Sequence, residues 1–447
     1  MIHVFANSRR NSARIHAGKY CSGFAILLAL GASGAASAAT LCVNPGGTSG
    51  CMSTISAAVS AASAGDTILV GAGTYKEQVT ITKSLSLVGA SHNSVYLNAT
   101  GFSNGIFING MWAAPNAGVA DVLVSGFTVK NATYEGILVA NATNVSLVDN
   151  LVSDNNRALT PGTGVCNGIP AFETNEGQDC GEGIHLIGVD HSFLIHNEST
   201  HNSGGILISD ETGPTFDNLV KGNNVHDNGY ACGITMASHG PATSVVPTAR
   251  ISFGITHNTI ANNHSWNNGL LLPGAGAGVG IFAPFPGTTS SGNVVINNEL
   301  NGNALPGVTM HNHAAAPAPA PAVNLNDNMI VGNHIYDNAA DGADAFTPGP
   351  TGINVYSVAP IWGTVIAQNV IENEAVDIAF KAPVGQLDVH FNDFRSTGIG
   401  IDNLGAATIN ATDNWWHCAA GPGGSGCSTA AGAGVATTPW LAAPFNP

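Results

Sequence analysis

Residues 194–239 read LIHNESTHNSGGILISDETGPTFDNLVKGNNVHDNGYACGITMASH. Two elements occur twice in this stretch. An asparagine pair five apart, Asn197 and Asn202, returns 26 residues later as Asn223 and Asn228. A Gly-Ile strand, GILISD from Gly205, returns as GITMAS from Gly233. Neither element buries enough apolar surface alone. The recurrence therefore predicts stacked coils that share one core and pair each strand with its copies above and below.

Working outward, the strand recurs as GIFING (105), GILVAN (136), GIHLIG (183), GIFAPF (280), GVTMHN (307), GINVYS (352), DIAFKA (377) and GIGIDN (398). Further asparagine pairs fall at 150/155, 258/263, 298/303 and 333/338. Asparagine at equivalent turn positions can form hydrogen-bonded ladders, and it tolerates left-handed turns. The fold class this predicts is all-β: a single-stranded right-handed parallel β-helix, with a short N-terminal capping helix. The intervals 150→197, 258→298 and 333→369 exceed 26 residues, so their excess must leave the solenoid as loops. Apolar residues at helical spacing in 53–62 would cover the first coil. The aromatic, Pro-rich 414–447 would cover the last.

The first 38 residues read as a leader. Arg9, Arg10, Arg14 and Lys19 precede the apolar run 23–32, and Ala36-Ser37-Ala38 fits a small-residue cleavage site. The expected organisation is a signal peptide at 1–38, a β-helix with its N-terminal cap at 39–413 and a capping segment at 414–447. The destination is secreted or periplasmic. The leader holds four basic residues and no acidic ones, so its removal takes the net charge from −16 to −20. That balance excludes nucleic acid as a partner, since phosphate binding needs clustered Lys and Arg. No other segment is long and apolar enough for membrane insertion. A monomer that binds polysaccharide suits such a surface. Export makes disulfides plausible. The close pairs 42/51, 166/180 and 418/427 suggest themselves, leaving Cys232 as a buried thiol.

The opening GDTILVGAGTYKEQVTITKSLSLVGA, the Asn-spaced repeats and the closing NWW…GP…TPWL resemble secreted right-handed parallel β-helix proteins of the pectin-lyase-like superfamily. They are also similar to the β-helix domain of the periplasmic copper-binding accessory protein of nitrous oxide reduction. The resemblance implies the fold over nearly all of 39–447. Its members include glycan lyases, hydrolases, epimerases, esterases and adhesins, so the chemistry must be argued from the site.

Strand side chains alternate. With the isoleucines inward, the outward column two residues after each leading glycine holds Phe107, Leu138, His185, Leu207, Thr235, Phe282, Thr309, Asn354 and Ala379. Only the middle coils offer titratable groups. Asp210-Glu211 is expected between Asp190-His191 below and Ser238-His239 above, with Glu182 and His185 alongside. Asp210, Glu211, His239, His185 and Asp190 are the catalytic candidates. Glu182, His191, His311, Tyr356 and Lys381 are the substrate-binding candidates. Hydrolysis needs an acid and a second carboxylate. Elimination needs a base and a proton donor. Insertions at 157–182, 239–250, 264–279, 284–292, 313–323 and 339–351 would wall a groove over this face. No metal ligand set is assigned, because the pair His311/His313 is too small for a site. Ca²⁺ at Asp327, Asp337, Asp341 and Asp344 is the one cofactor left open. The leading reading is an exported polysaccharide lyase or glycoside hydrolase. Its rivals are a non-catalytic glycan-binding or envelope scaffold and an exported metal-binding β-helix protein.

Overall fold

The structure, a computed structural model, describes residues 38–447 apart from 112–117, 164, 174–179, 247, 313–321, 343–344 and 446–447. The leader expected at 1–38 lies outside the described residues save for Ala38, as do His313 and Asp344. Residues Ala38–Pro447 form one unit.

The repeat folds because each coil makes three short strands separated by turns. Ile184–Asp190, Ile206–Ser209, Ile234–Ala237, Val279–Phe282 and Val308–His311 stack in parallel on one face, here called the site face. Phe193–Ile195, Leu219–Lys221, Thr259–Ala261 and Val294–Ile296 stack on a second. Glu198–Thr200, Asn224–His226, His264–Trp266 and Glu299–Asn301 stack on the third. Inward side chains from all three faces, among them Ile184, Leu186, Leu194, Ile206, Val220, Val225 and Ile260, form one continuous core. Burying each such side chain contributes about 1.5–3 kcal/mol.

The leading glycine marks a corner. A Cβ on Gly183 would stand 2.0 Å from the Ser199 hydroxyl, one on Gly205 2.1 Å from Val225, and one on Gly233 2.0 Å from Ser265. The site strand and the third face approach too closely there for any side chain.

The asparagines form three ladders. One runs Asn150, Asn197, Asn223, Asn263, Asn298, Asn333, Asn369, Asn392 and Asn414, with each Nδ2 donating to the next Oδ1 at 2.9–3.0 Å. A second joins Asn155, Asn202, Asn228, Asn268, Asn303 and Asn338, and ends on the Glu374 carboxylate. A third joins Asn218, Asn258, Asn293 and Asn328. The backbone N–H of each of these asparagines also donates to the same neighbouring oxygen, as Asn223 does to Asn263 Oδ1 at 2.9 Å. The left-handed residue is the one before the ladder asparagine: His196, His201, Asp217, His257, Asn262 and Asn297 all have φ near 55°.

Three expectations on register change. The pair 258/263 straddles two ladders, and the true partners on that coil are 263 and 268. The strand assigned to GIFAPF begins two residues earlier, so that Gly280 faces Thr235, and Phe282 faces Ala237 and His311. The shortest coils are 22–23 residues, near the C-terminal end, rather than 26. The capping helix is present at Ile55–Ala61, with the Thr54 side chain accepting from Ala57 N and with Ile55, Ala58 and Val59 buried. At the other end Trp416 is fully buried against Phe394. All three proposed disulfides are formed, and Cys232 is a buried thiol. Among the described residues no helix is long and apolar enough to cross a membrane.

Two outcomes follow from the ladders. Replacing Asn263 by Ala deprives both Asn223 donors of their acceptor and Val220 O of its donor. The loss should be roughly 3 kcal/mol, against less than about 0.5 for Asn410→Ala on the partly exposed surface, read from thermal or urea unfolding. Burial raises the Glu374 carboxyl to about 8, while the Asn338 hydrogen bonds act the other way. A raised acid stabilises the fold below its ordinary value near 4.5 and loses that contribution as pH climbs through 8. Glu374→Gln, which keeps a neutral amide in the ladder, should therefore melt higher than wild type at pH 9. The gap should close at pH 4.

Candidate functional site

Three coils of the site face carry the titratable groups. His185 faces Leu207 and Ile187 faces Ser209 across one pair of strands, and Ser209 faces Ala237 across the next. Glu135 and Glu182 each stand just before the leading glycine of their coil, and Gly136 N donates to Glu182 O. Asp210, Glu211, His239, His185 and Glu182 come together as the sequence predicts, and all five are buried.

Asp210 and Glu211 are adjacent in sequence yet do different things. The Asp210 Oδ1 accepts from His239 N at 2.6 Å. Its Oδ2 accepts from Ser238 Oγ, Ser252 Oγ, Phe253 N and Gly254 N. This carboxylate ties both ends of the 238–254 excursion to the solenoid. Burial, then the charge of Glu211, raises it to about 6. Glu211 Oε1 instead meets His239 Nδ1 at 2.6 Å. Burial alone would raise Glu211, but the His239 imidazole outweighs it, helped by His185 and the Ser209 hydroxyl, and holds the carboxyl at about 2. Ser209 Oγ in turn lies 2.8 Å from His185 Nε2. His185, Ser209, Glu211 and His239 thus form one continuous polar chain across three coils.

The insertions lie over this face and close it. Phe172 stacks on Phe107 with ring centroids 6.2 Å apart. Phe172, Ala242 and Met111 pack with Leu138, Ala140 and Ile187, and Ala242 N donates to Glu211 O at 2.9 Å. The groove expected over these coils is a covered site. His264–Trp266, within a segment expected to loop out, is a strand of the third face.

Other candidates fall elsewhere. Asp190 pairs with Phe216, and Asp210–Pro214 bulge out where the coil below has only Gly188. Asp190-His191 is therefore not stacked beneath Asp210-Glu211. His191 has φ 49° and occupies the left-handed turn slot, and its ring nitrogen bonds Asp190 at 2.6 Å in an exposed pair. The side-chain hydrogen bond to Asp190 raises its pKa. His311, Tyr356 and Lys381 continue the Ser209 column upward. His311 is three coils from Ser209, or about 14 Å at the ~4.8 Å strand spacing. It packs on Phe282, while Lys381 lies over Tyr356. These three form a separate line that does not join the polar chain.

Three participants escaped the sequence reading. Glu135 occupies the same column as Glu182, one residue before its glycine, so the repeat carried that signal. Ser209 was visible only as a strand residue. Glu173 comes from the insertion clipped by Cys166–Cys180, where no repeat fixes a register.

Asp210→Asn should act as a structural lesion. An amide nitrogen placed among these donors unfastens the 238–254 excursion. We expect a loss of about 2–4 kcal/mol and faster hydrogen exchange confined to 238–254, with the ladders unaffected.

Residues 91–279 match the family model described as "Right handed beta helix region". Comparison with curated protein sequences found no match. Among solved structures, the Dettilon tailspike protein aligns at 14% identity and TM-score 0.55, covering 83% of this chain and 62% of that one. The catalytic domain of a GH87 α-1,3-glucanase, solved with tetrasaccharides, aligns at 11% and 0.50, covering 83% and 63%. An alginate lyase from Paenibacillus sp. str. FPU-7 aligns at 14% and 0.46, covering 74% and 94%. At these identities the likeness is one of fold. The chain is a right-handed parallel β-helix protein with the pectin-lyase-like architecture.

Proposed function

We propose that this protein is an exported carbohydrate-active enzyme that cleaves a polysaccharide on the site face, with His239 as its proton-transfer group. The observation that carries the reading is the Glu211–His239 contact at 2.6 Å, buried on both sides. A carboxylate held ionised against Nδ1 fixes the ring and commits its proton exchange to Nε2. The Ser209–His185 pair extends the same chain to a second imidazole. Such a pair of histidines suits removal of one proton and delivery of another, as elimination requires. It suits hydrolysis less, because Asp210 is fully engaged in holding the 238–254 excursion. Asp190, His191, His311, Tyr356 and Lys381 have no part in this centre. The α-1,3-glucanase neighbour with its tetrasaccharides supports a glycan as the ligand class. Entry of a glycan requires the cover at 240–246, which contacts Glu211 through Ala242, to lift. Three disulfides and the basic-then-apolar leader support export.

The test is a panel of plant, algal and bacterial polysaccharides, read for both new reducing ends and the ultraviolet absorbance of unsaturated sugars. Wild type should cleave one class. His239→Ala and Glu211→Gln, with circular dichroism unchanged, should lose roughly 100-fold or more of that rate. Retention on a glycan column without any product would favour the scaffold reading. Full activity in His239→Ala would remove this imidazole from the chemistry.

A further inference from the structure

Beside the histidine chain lies a group of carboxylates that the proposed reaction does not use. Glu135 and Glu182 stack on neighbouring coils, and donor atoms of Glu135, Glu182 and His185 all lie within 4.8 Å of one another. We propose that these three residues, with Glu173 as a fourth ligand, form a binding site for a divalent transition-metal ion of the zinc or manganese class.

Four observations support the site. Glu173 is only 7% exposed, and neither of its carboxylate oxygens has a hydrogen-bond partner. Glu135 is fully buried, and its Oε2 likewise has none. No Lys or Arg among the described residues neutralises either of them. Converging carboxylates in a low-dielectric interior repel unless protons or a cation hold them. Burial, then the charges of Glu135, Glu182 and Glu211, pushes Glu173 well above the usual carboxylate range, which places it against that same group.

The second observation is delivery. Glu173 comes from the insertion clipped by the Cys166–Cys180 disulfide, and Phe172 beside it is stacked on Phe107. The carboxylate is brought to the face by a fixed segment. The third is space. Gly204 follows Glu135 and Glu182 in their column, and a Cβ there would come within 3.4 Å of Glu182 Oε1. The fourth is the outer partner. The His185 ring is anchored through Nε2 to Ser209 Oγ at 2.8 Å, which leaves Nδ1 as the ligating atom. Metal-bound histidines are oriented in this way by a hydrogen bond on the opposite nitrogen. One imidazole with carboxylates suits zinc or manganese. Calcium prefers six to eight oxygens and no nitrogen.

The inference stands apart from the glycan reading, and its test reads metal alone. The full-length protein is stripped with chelator and dialysed against Zn²⁺, Mn²⁺ or Ca²⁺. Bound metal is counted by elemental analysis, and the thermal midpoint is followed. One Zn²⁺ or Mn²⁺ per chain is expected, with a raised midpoint, and no stoichiometric Ca²⁺. Glu135→Gln and Glu182→Gln should each weaken binding ~10-fold or more, since even outer-shell changes do so. Stripped Glu135→Gln should melt above stripped wild type, because one member of the repelling group is gone, and this sign reversal shows that the variant folds. His257→Ala, on a distant turn, should bind as wild type does. The proposal is overturned if wild type binds neither Zn²⁺ nor Mn²⁺ at one to one, if it takes up Ca²⁺ in their place, or if the glutamine variants bind as tightly as wild type.

Discussion

Identity of register from coil to coil is the constraint on which everything else in this molecule depends. Parallel strands pair residue for residue, so a side chain keeps its column along the whole solenoid. The asparagine ladders enforce this. Each Oδ1 takes two donors from the coil below, and each Nδ2 gives to the coil above and to a backbone carbonyl. A slip of one residue would break that set on every turn it touched. It would also throw the isoleucines outward, because strand alternation has a period of two.

Fixed columns explain how few ionisable groups can make a centre. Only 9% of the residues are charged. Even so, neighbouring coils place Glu135 against Glu182, and they link His185 through Ser209 to Glu211 and His239. The residues lie up to about a hundred positions apart in sequence but only two or three strand spacings apart in space. The first and last coils put apolar or amide side chains in the same columns, so position along the axis decides what the face can do.

The same logic shows what could be read from the sequence. The solenoid, its caps and its cysteine pairs were legible because each rests on local patterning. The meeting of His185, Asp210, Glu211 and His239 was legible because their coils carry no register break. Asp190-His191 was misplaced because the bulge at 210–214 is answered by Gly188 alone on the coil below. His311, Tyr356 and Lys381 were correctly aligned in their column, but a column alone says nothing of height along the axis. Glu173 could not be placed at all. It sits in an insertion, where contacts and a disulfide rather than repeat spacing decide its position.

Asp210-Glu211 shows how much function turns on the direction of a side chain. Neighbouring residues at a strand end point to opposite sides. Asp210 turns toward the 238–254 excursion and satisfies five donors. Glu211 turns along the face to the imidazole. The first carboxylate builds the excursion that carries His239, and the second orients the ring so delivered. Loss of either would silence the site, but only the second acts on the proton. A catalytic role is therefore separated from a scaffolding one here by hydrogen-bond saturation. An oxygen already holding four donors has no lone pair left for a substrate, however strongly its pKa is displaced.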